Sequence, residues 1–135
     1  MERTYSTPLI DKLGVRPGSR VAIVGSVDSD GSFHGLLAER TVDVTDGEPL
    51  PDTDLVFLAA DSVPELYALP DLRSRIRPNG AIWVISRKGR ASTLRYADLL
   101  EAAQAGGLVD NKVASFSDTH TALRFVIPVA LRPRT

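Results

Sequence analysis

Val21-Ala-Ile-Val-Gly25 decides how this chain folds. Four apolar residues in a row, closed by a glycine, leave no polar face for water, as in a strand buried on both sides of a sheet. Three further runs repeat the pattern: Thr41-Val-Asp-Val-Thr45, Asp54-Leu-Val-Phe-Leu-Ala59 and Ala81-Ile-Trp-Val-Ile-Ser86. Helical segments lie between the first pair and between the second pair, which is the connection parallel strands require. The expected strands are 20–25, 41–45, 54–59 and 81–86.

The intervening segments carry their own signals. Ser6 to Leu13 predicts a short helix, with Ser6 as its cap, Pro8 in its first turn and Gly14 as its stop. Arg16-Pro-Gly18 is a turn into the first strand. A brief helix over 32–39 buries Phe33, Leu36 and Leu37. Ser62-Val-Pro-Glu65 has capping-box spacing ahead of a helix that buries Leu66, Leu69, Leu72 and Ile76, and Pro70 splits it near Leu69. Arg77-Pro-Asn-Gly80 is a turn before strand four. The helix over 93–105 is the most regular: Leu94, Ala97, Leu100 and Ala103 share one face, and Gly106-Gly107 ends it.

The final third changes character. Leu108 to Phe116 and Ala122 to Val129 are joined by Ser117-Asp-Thr-His-Thr121 with no helix between them, so they pair antiparallel at a sheet edge. Arg132 to Thr135 reads as a frayed tail. The sum is one three-layer Rossmann-like α/β domain over residues 1–135, its sheet mainly parallel with antiparallel C-terminal edge strands.

Composition narrows the class. A hydrophobic content of 43% with 24% charged residues is that of a water-soluble globular chain, and no run reaches the ~20 apolar residues of a membrane span. The absence of cysteine removes disulfides, thiolate metal sites and a cysteine nucleophile; with no secretory signal at Met1-Glu-Arg-Thr-Tyr5, a cytoplasmic location is expected. Net charge is −1, yet residues 1–67 hold twelve acids against five Lys/Arg, and residues 68–135 five against eleven. Such a chain brings opposite charges together across one site or between protomers, or scatters both on solvated faces. The basic half is not interleaved with aromatics, so nucleic acid is not an expected partner.

The order of elements, with Val21-Ala-Ile-Val-Gly25, Asp54-Leu-Val-Phe57, Arg77-Pro-Asn-Gly-Ala-Ile-Trp-Val84 and the closing strand pair, resembles a shortened class I methyltransferase fold lacking one strand–helix unit between residues 45 and 54. The chain also resembles the small bacterial proteins of domain-of-unknown-function family 3052. That likeness rests on Tyr5-Ser-Thr-Pro-Leu9, Lys12-Leu-Gly14, Pro17-Gly18, Ala81-Ile-Trp-Val84, Gly107-Leu-Val-Asp-Asn-Lys-Val113 and Ala122-Leu-Arg-Phe-Val126. It departs from that family at Ile85-Ser-Arg-Lys88 and at His120. The methyltransferase likeness implies S-adenosylmethionine as a cofactor; the second implies no activity.

Open parallel sheets bind ligands beyond the carboxyl ends of their strands. The loops from Gly25, Asp46, Ala59 and Arg87 gather there, which makes Gly25, Ser26, Asp46, Ala60, Asp61, Arg87 and Lys88 the candidate ligand-binding residues. Gly25 stands where a cofactor loop has its first glycine, but Val27 and Ser29 occupy the next two glycine positions, and Ile23 replaces the usual acid. Asp46 is placed to accept hydrogen bonds from a ribose. Arg87-Lys-Gly-Arg90 suits a carboxylate or phosphate. Asp28-Ser-Asp-Gly31 reads as an Asx-turn rather than a calcium loop. His34 and His120 have no metal-ligand spacing, His120 belongs to a surface turn, and Trp83 belongs to the core. Three readings remain: a non-catalytic module binding a small ligand or a protein, a minimal S-adenosylmethionine-dependent methyltransferase, and a structural domain that self-associates.

Overall fold

Side chains alternate along a strand, and here both faces of the central strands are covered. In β3 (Thr53–Ala59), Leu55 and Phe57 enter one apolar layer while Val56 and Leu58 enter the other. β4 (Ile76–Arg87) repeats this, with Ala81, Trp83 and Ile85 on the first side and Ile82 and Val84 on the second. Two-sided burial is why these runs show no polar alternation. The structure, a computed structural model, describes residues 8–27 and 31–132. The cap expected at Ser6, the Asx-turn at Asp28 and Asp30, and the tail beyond Arg132 lie outside the described residues.

Six strands form one sheet. β1 (Val21–Val24), β2 (Val44–Asp46), β3 and β4 run parallel; β6 (His120–Val126) is antiparallel to β4, and β5 (Val109–Ser115) is antiparallel to β6. The spatial order is β2-β1-β3-β4-β6-β5, so strand order reverses between β1 and β3. The parallel sheet and its antiparallel edge pair are as the sequence led us to expect. α1 (Leu9–Lys12) and α2 (Ser32–Ala38) cover the first face with Ile10, Phe33 and Leu37. There Phe33 meets Phe57 and Phe116 edge-on, at centroid distances of 5.0 and 4.9 Å. Trp83 is fully buried, and its indole Nε1 donates to the Leu13 carbonyl at 3.0 Å, tying the loop after α1 to the middle of the sheet. A 3-10 turn (Pro64–Ala68), α3 (Leu69–Arg73) and α4 (Tyr96–Ala105) cover the second face with Leu66, Leu69, Leu72, Leu99 and Ala103.

Local expectations fared unevenly. Pro70 does split its helix, which passes from 3-10 to α between Ala68 and Leu69. The capping box expected at Ser62 is not made: the Glu65 carboxylate accepts from the N–H of Asp61 at 2.8 Å, one residue too early, and the Ser62 hydroxyl donates to that same carboxylate instead of capping the backbone. β2 is shorter than 41–45 and begins at Val44. The buried Thr41 hydroxyl donates to the Ser19 carbonyl and accepts from the Asp43 N–H, which holds 41–43 in a turn with Val42 in water. The turn at Arg77–Gly80 exists as a bulge inside β4, between Ile76, which pairs with Thr53, and Ala81, which pairs with Leu55. Gly80 is required there, since a Cβ would stand 2.8 Å from the Asp54 carbonyl.

The apolar face of α4 is also turned from the expected one. Ala97 is exposed, Leu100 is half-buried, and Leu99 takes the core position with Ala103. The Asp98 carboxylate accepts from the Arg95 N–H at 3.0 Å and from its guanidinium at 2.8 Å, so the helix starts at Tyr96 and Leu94 is buried from the loop before it. Three ion pairs join the acid-rich half of the chain to the base-rich half: Arg75 with Glu48, Arg77 with Asp54 at 2.9 Å and Arg87 with Asp61 at 3.8 Å. Among the described residues no helix is long and apolar enough to cross a membrane.

Candidate functional site at the carboxyl rim of the sheet

The four parallel strands end on one rim, at Val24, Asp46, Ala59 and Arg87. Every candidate residue named from the sequence sits there, but their contacts fall into two groups. The first lies around β1. Gly25 follows that strand with φ +88°, a conformation that favours glycine, and a Cβ on it would lie 3.2 Å from the Ala59 Cβ. Gly25 is therefore demanded by its own backbone and by the end of β3, independently of any ligand. Ser26 beside it is exposed. Asp46 ends β2 in register with Ile23, and the neighbouring Gly47 N–H donates to the Ile23 carbonyl at 2.7 Å. The Asp46 carboxylate meets the His34 ring Nε2 at 2.8 Å.

The second group lies at the ends of β3 and β4. Ala60 is buried, and its N–H donates to the Ile85 carbonyl at 3.0 Å. Asp61 is the organiser: its carboxylate accepts from the Arg87 N–H at 2.9 Å and faces the Arg87 Nε at 3.8 Å, while its carbonyl accepts from the Thr93 hydroxyl. At 3.8 Å the guanidinium contact is an ion pair without a hydrogen bond. Lys88 turns to the hairpin, its N–H donating to the Thr119 carbonyl at 3.0 Å and its ammonium to the Ser115 hydroxyl at 2.9 Å.

These contacts frame a cavity of about 370 Å³ lined by Arg87, Lys88, Ala91, Asp118, Thr119 and His120. Three cationic or protonatable side chains with one carboxylate suit a carboxylate or phosphate group. His120, read from the sequence as a surface-turn residue, is not among the seven candidate ligand-binding residues. It stands opposite Arg87 in the β4–β6 ladder, and its ring Nδ1 contacts the Thr119 hydroxyl at 2.8 Å. Asp46 is twelve residues from His34 in sequence; the parallel pairing of β1 with β2 delivers it to the ring. Strand order is the signal that would have found both. Among the described residues no cluster of three His, Cys, Asp or Glu could hold a metal ion.

No family model matches this chain, nor does any curated protein. Solved structures do match it. A SAM-dependent methyltransferase from Aquifex aeolicus superposes with a TM-score of 0.63 at 14% identity, covering 88% of each chain. A TehB-like SAM-dependent methyltransferase from Corynebacterium glutamicum gives 0.59 at 15% identity, over 88% of this chain and 85% of that one. The pyocyanin biosynthetic protein PhzM gives 0.58 at 16% identity, over 87% of this chain, which spans about half (53%) of PhzM. At such identities the likeness establishes the fold: this chain has a Rossmann-like, methyltransferase-like architecture.

Proposed function

We propose that this chain is a non-catalytic binding module on a methyltransferase-like scaffold, taking a small ligand that carries a carboxylate or phosphate group. The observation that supports this reading is the cavity beside the carboxyl end of β4, where Arg87, Lys88 and His120 converge. Ligands of open α/β sheets sit at this rim. The rim carboxylates already have protein partners, Asp61 in the Arg87 N–H and Asp46 in the His34 ring, which leaves the basic side chains of the cavity as the groups offered to a ligand.

A second reading, a minimal S-adenosylmethionine-dependent methyltransferase, draws support from Asp46 at the end of β2, one strand from Gly25, where it could accept from a ribose. Two measurements separate the readings. Native mass spectrometry of freshly purified protein should reveal a co-purifying small anion that Arg87→Ala or Lys88→Ala releases, with no gain in melting temperature from S-adenosylmethionine or its demethylated product. Saturating binding of either compound stabilises by about 2.7 kcal/mol at a hundredfold excess over Kd. A rise of that size would move the conclusion to the methyltransferase.

A further inference from the structure

The opposite rim carries a second, larger cavity. It measures about 490 Å³ and opens between the loop that enters β1 and the amino ends of β3 and β4. Leu55 forms an apolar part of its lining, and Ser19, Asn79 and Asp54 contribute polar groups. Gly14 and Gly18, both with φ near +80°, also line it, and a Cβ on either would meet no atom within 4 Å. Two guanidinium side chains belong to this lining, Arg16 and Arg124.

The charges here are unevenly matched. Asp54 is satisfied from within the fold: one carboxylate oxygen accepts from the Arg20 N–H at 2.8 Å, and the other forms an ion pair with the Arg77 guanidinium, 2.9 Å from its Nε. Arg20 itself pairs with Asp43 at 3.0 Å. Among the described residues neither Arg16 nor Arg124 has a carboxylate partner. The one side-chain hydrogen bond of Arg124 is a long one, 3.3 Å to the neutral Asn111 amide oxygen.

Arg124 is costly where it stands. It lies on β6 between Ala122 and Val126, on the sheet face that carries the Trp83 layer, and is in register with Trp83 itself. Arg124 is half-buried there, so its guanidinium gives up part of its hydration without an ion pair in return. Its pKa is depressed, first by that desolvation and then by repulsion from Arg132.

We propose that the cavity at the amino rim binds a small organic anion, a carboxylate or phosphate ester, through Arg16 and Arg124. This site is separate from the one at the carboxyl rim and does not depend on it. The ligand supplies the negative charge that the fold withholds from these two side chains, and Ser19 and Asn79 offer neutral hydrogen bonds beside them.

Citrate and pyrophosphate, titrated separately into the ¹⁵N-labelled full chain at constant ionic strength, test this. The expected result is saturable shifts of the Gly14, Gly18 and Asn79 amides and of the Arg124 Nε–H with at least one probe. The dissociation constant should weaken about tenfold or more in Arg124→Gln and in Arg16→Ala. Binding of only one probe supports the site and tells carboxylate from phosphate. Arg16 is exposed, so Arg16→Ala decides the matter should Arg124→Gln fail to fold. The proposal is overturned by non-saturating shifts with both probes, by shifts confined to Gly25, Arg87 and Lys88, or by an affinity unchanged in Arg16→Ala. Arg87→Ala should leave this binding intact, which keeps its outcome distinct from that of the carboxyl-rim site.

Discussion

Gly25→Ala separates a glycine kept for a ligand from one kept for the backbone. Two costs follow from the structure. Holding a residue with a Cβ at φ +88° costs about 1–2 kcal/mol. The new methyl would also lie 3.2 Å from the Ala59 Cβ, so the ends of β1 and β3 must part by a few tenths of an ångström. That crowding falls near the lower end of the ~1–3 kcal/mol that overpacking costs. The sum is about 2–3 kcal/mol, or roughly 8–12 °C in melting temperature for a domain of this size. Urea unfolding followed by fluorescence gives the measurement, because Trp83 is the chain's single tryptophan and is fully buried in the native state. Ala59→Gly removes the crowding partner and leaves φ unchanged. In that background Gly25→Ala should therefore cost only the conformational part, about 1–2 kcal/mol. A Gly25→Ala protein as stable as the parent would refute the reasoning, and loss of ligand binding in that stable protein would restore the cofactor-loop reading.

Two further outcomes are expected. Trp83→Phe leaves the buried Leu13 carbonyl without its donor, at about 1–3 kcal/mol, and adds a void at ~24 cal/mol per Å³; a loss of about 2–4 kcal/mol should appear in urea unfolding followed by circular dichroism, and a loss below about 1 kcal/mol would contradict the hydrogen bond. The Asp98 carboxyl is held below its ordinary 3.8, first by the Arg95 guanidinium and then by the Arg95 N–H. A depressed acid stabilises the folded state above its unfolded pKa, and that contribution fades as pH falls through the lower folded value. The start of α4 should therefore fray on acidification below about pH 4 in the parent but not further in Asp98→Asn, as read from the exchange of the Leu99 and Leu100 amides.

What the sequence could reveal depended on how far apart the interacting residues are. The central strands were legible because each buries both faces, and a continuous apolar run as short as Asp54 to Ala59, bounded by polar turns, suits a doubly covered strand better than a helix. The hairpin of β5 and β6 was legible for a related reason: no helix separates them, so antiparallel pairing is the simplest closure. Errors arose where a polar side chain overrides periodicity. Nothing in the pattern Leu94, Ala97, Leu100 shows that Arg95 and Asp98 will fix the start of α4 at Tyr96, three residues past the expected start at 93. Likewise β2 looks like a strand from Thr41, until the Thr41 hydroxyl reaches across to Ser19, 22 residues away.

The candidate site was half legible for the same reason. Strand ends are readable one at a time, and all seven candidate residues do stand on the rim. Which of them touch is a matter of strand order, and strand order is not local. The charges make the consequence plain. The acid-rich first half and the base-rich second half meet because β3 and β4 lie side by side, so that Asp54 and Asp61, at opposite ends of β3, find Arg77 and Arg87 at the corresponding ends of β4. That pairing consumes carboxylates at both rims. The cations left without a carboxylate among the described residues include Lys88 at one rim and Arg16 and Arg124 at the other, and each of these lines a cavity. Both anion proposals rest on this one arrangement, acids paired across neighbouring strands and bases left around two hollows, so reversing the Asp54–Arg77 or Asp61–Arg87 pairing should weaken the site at that rim alone.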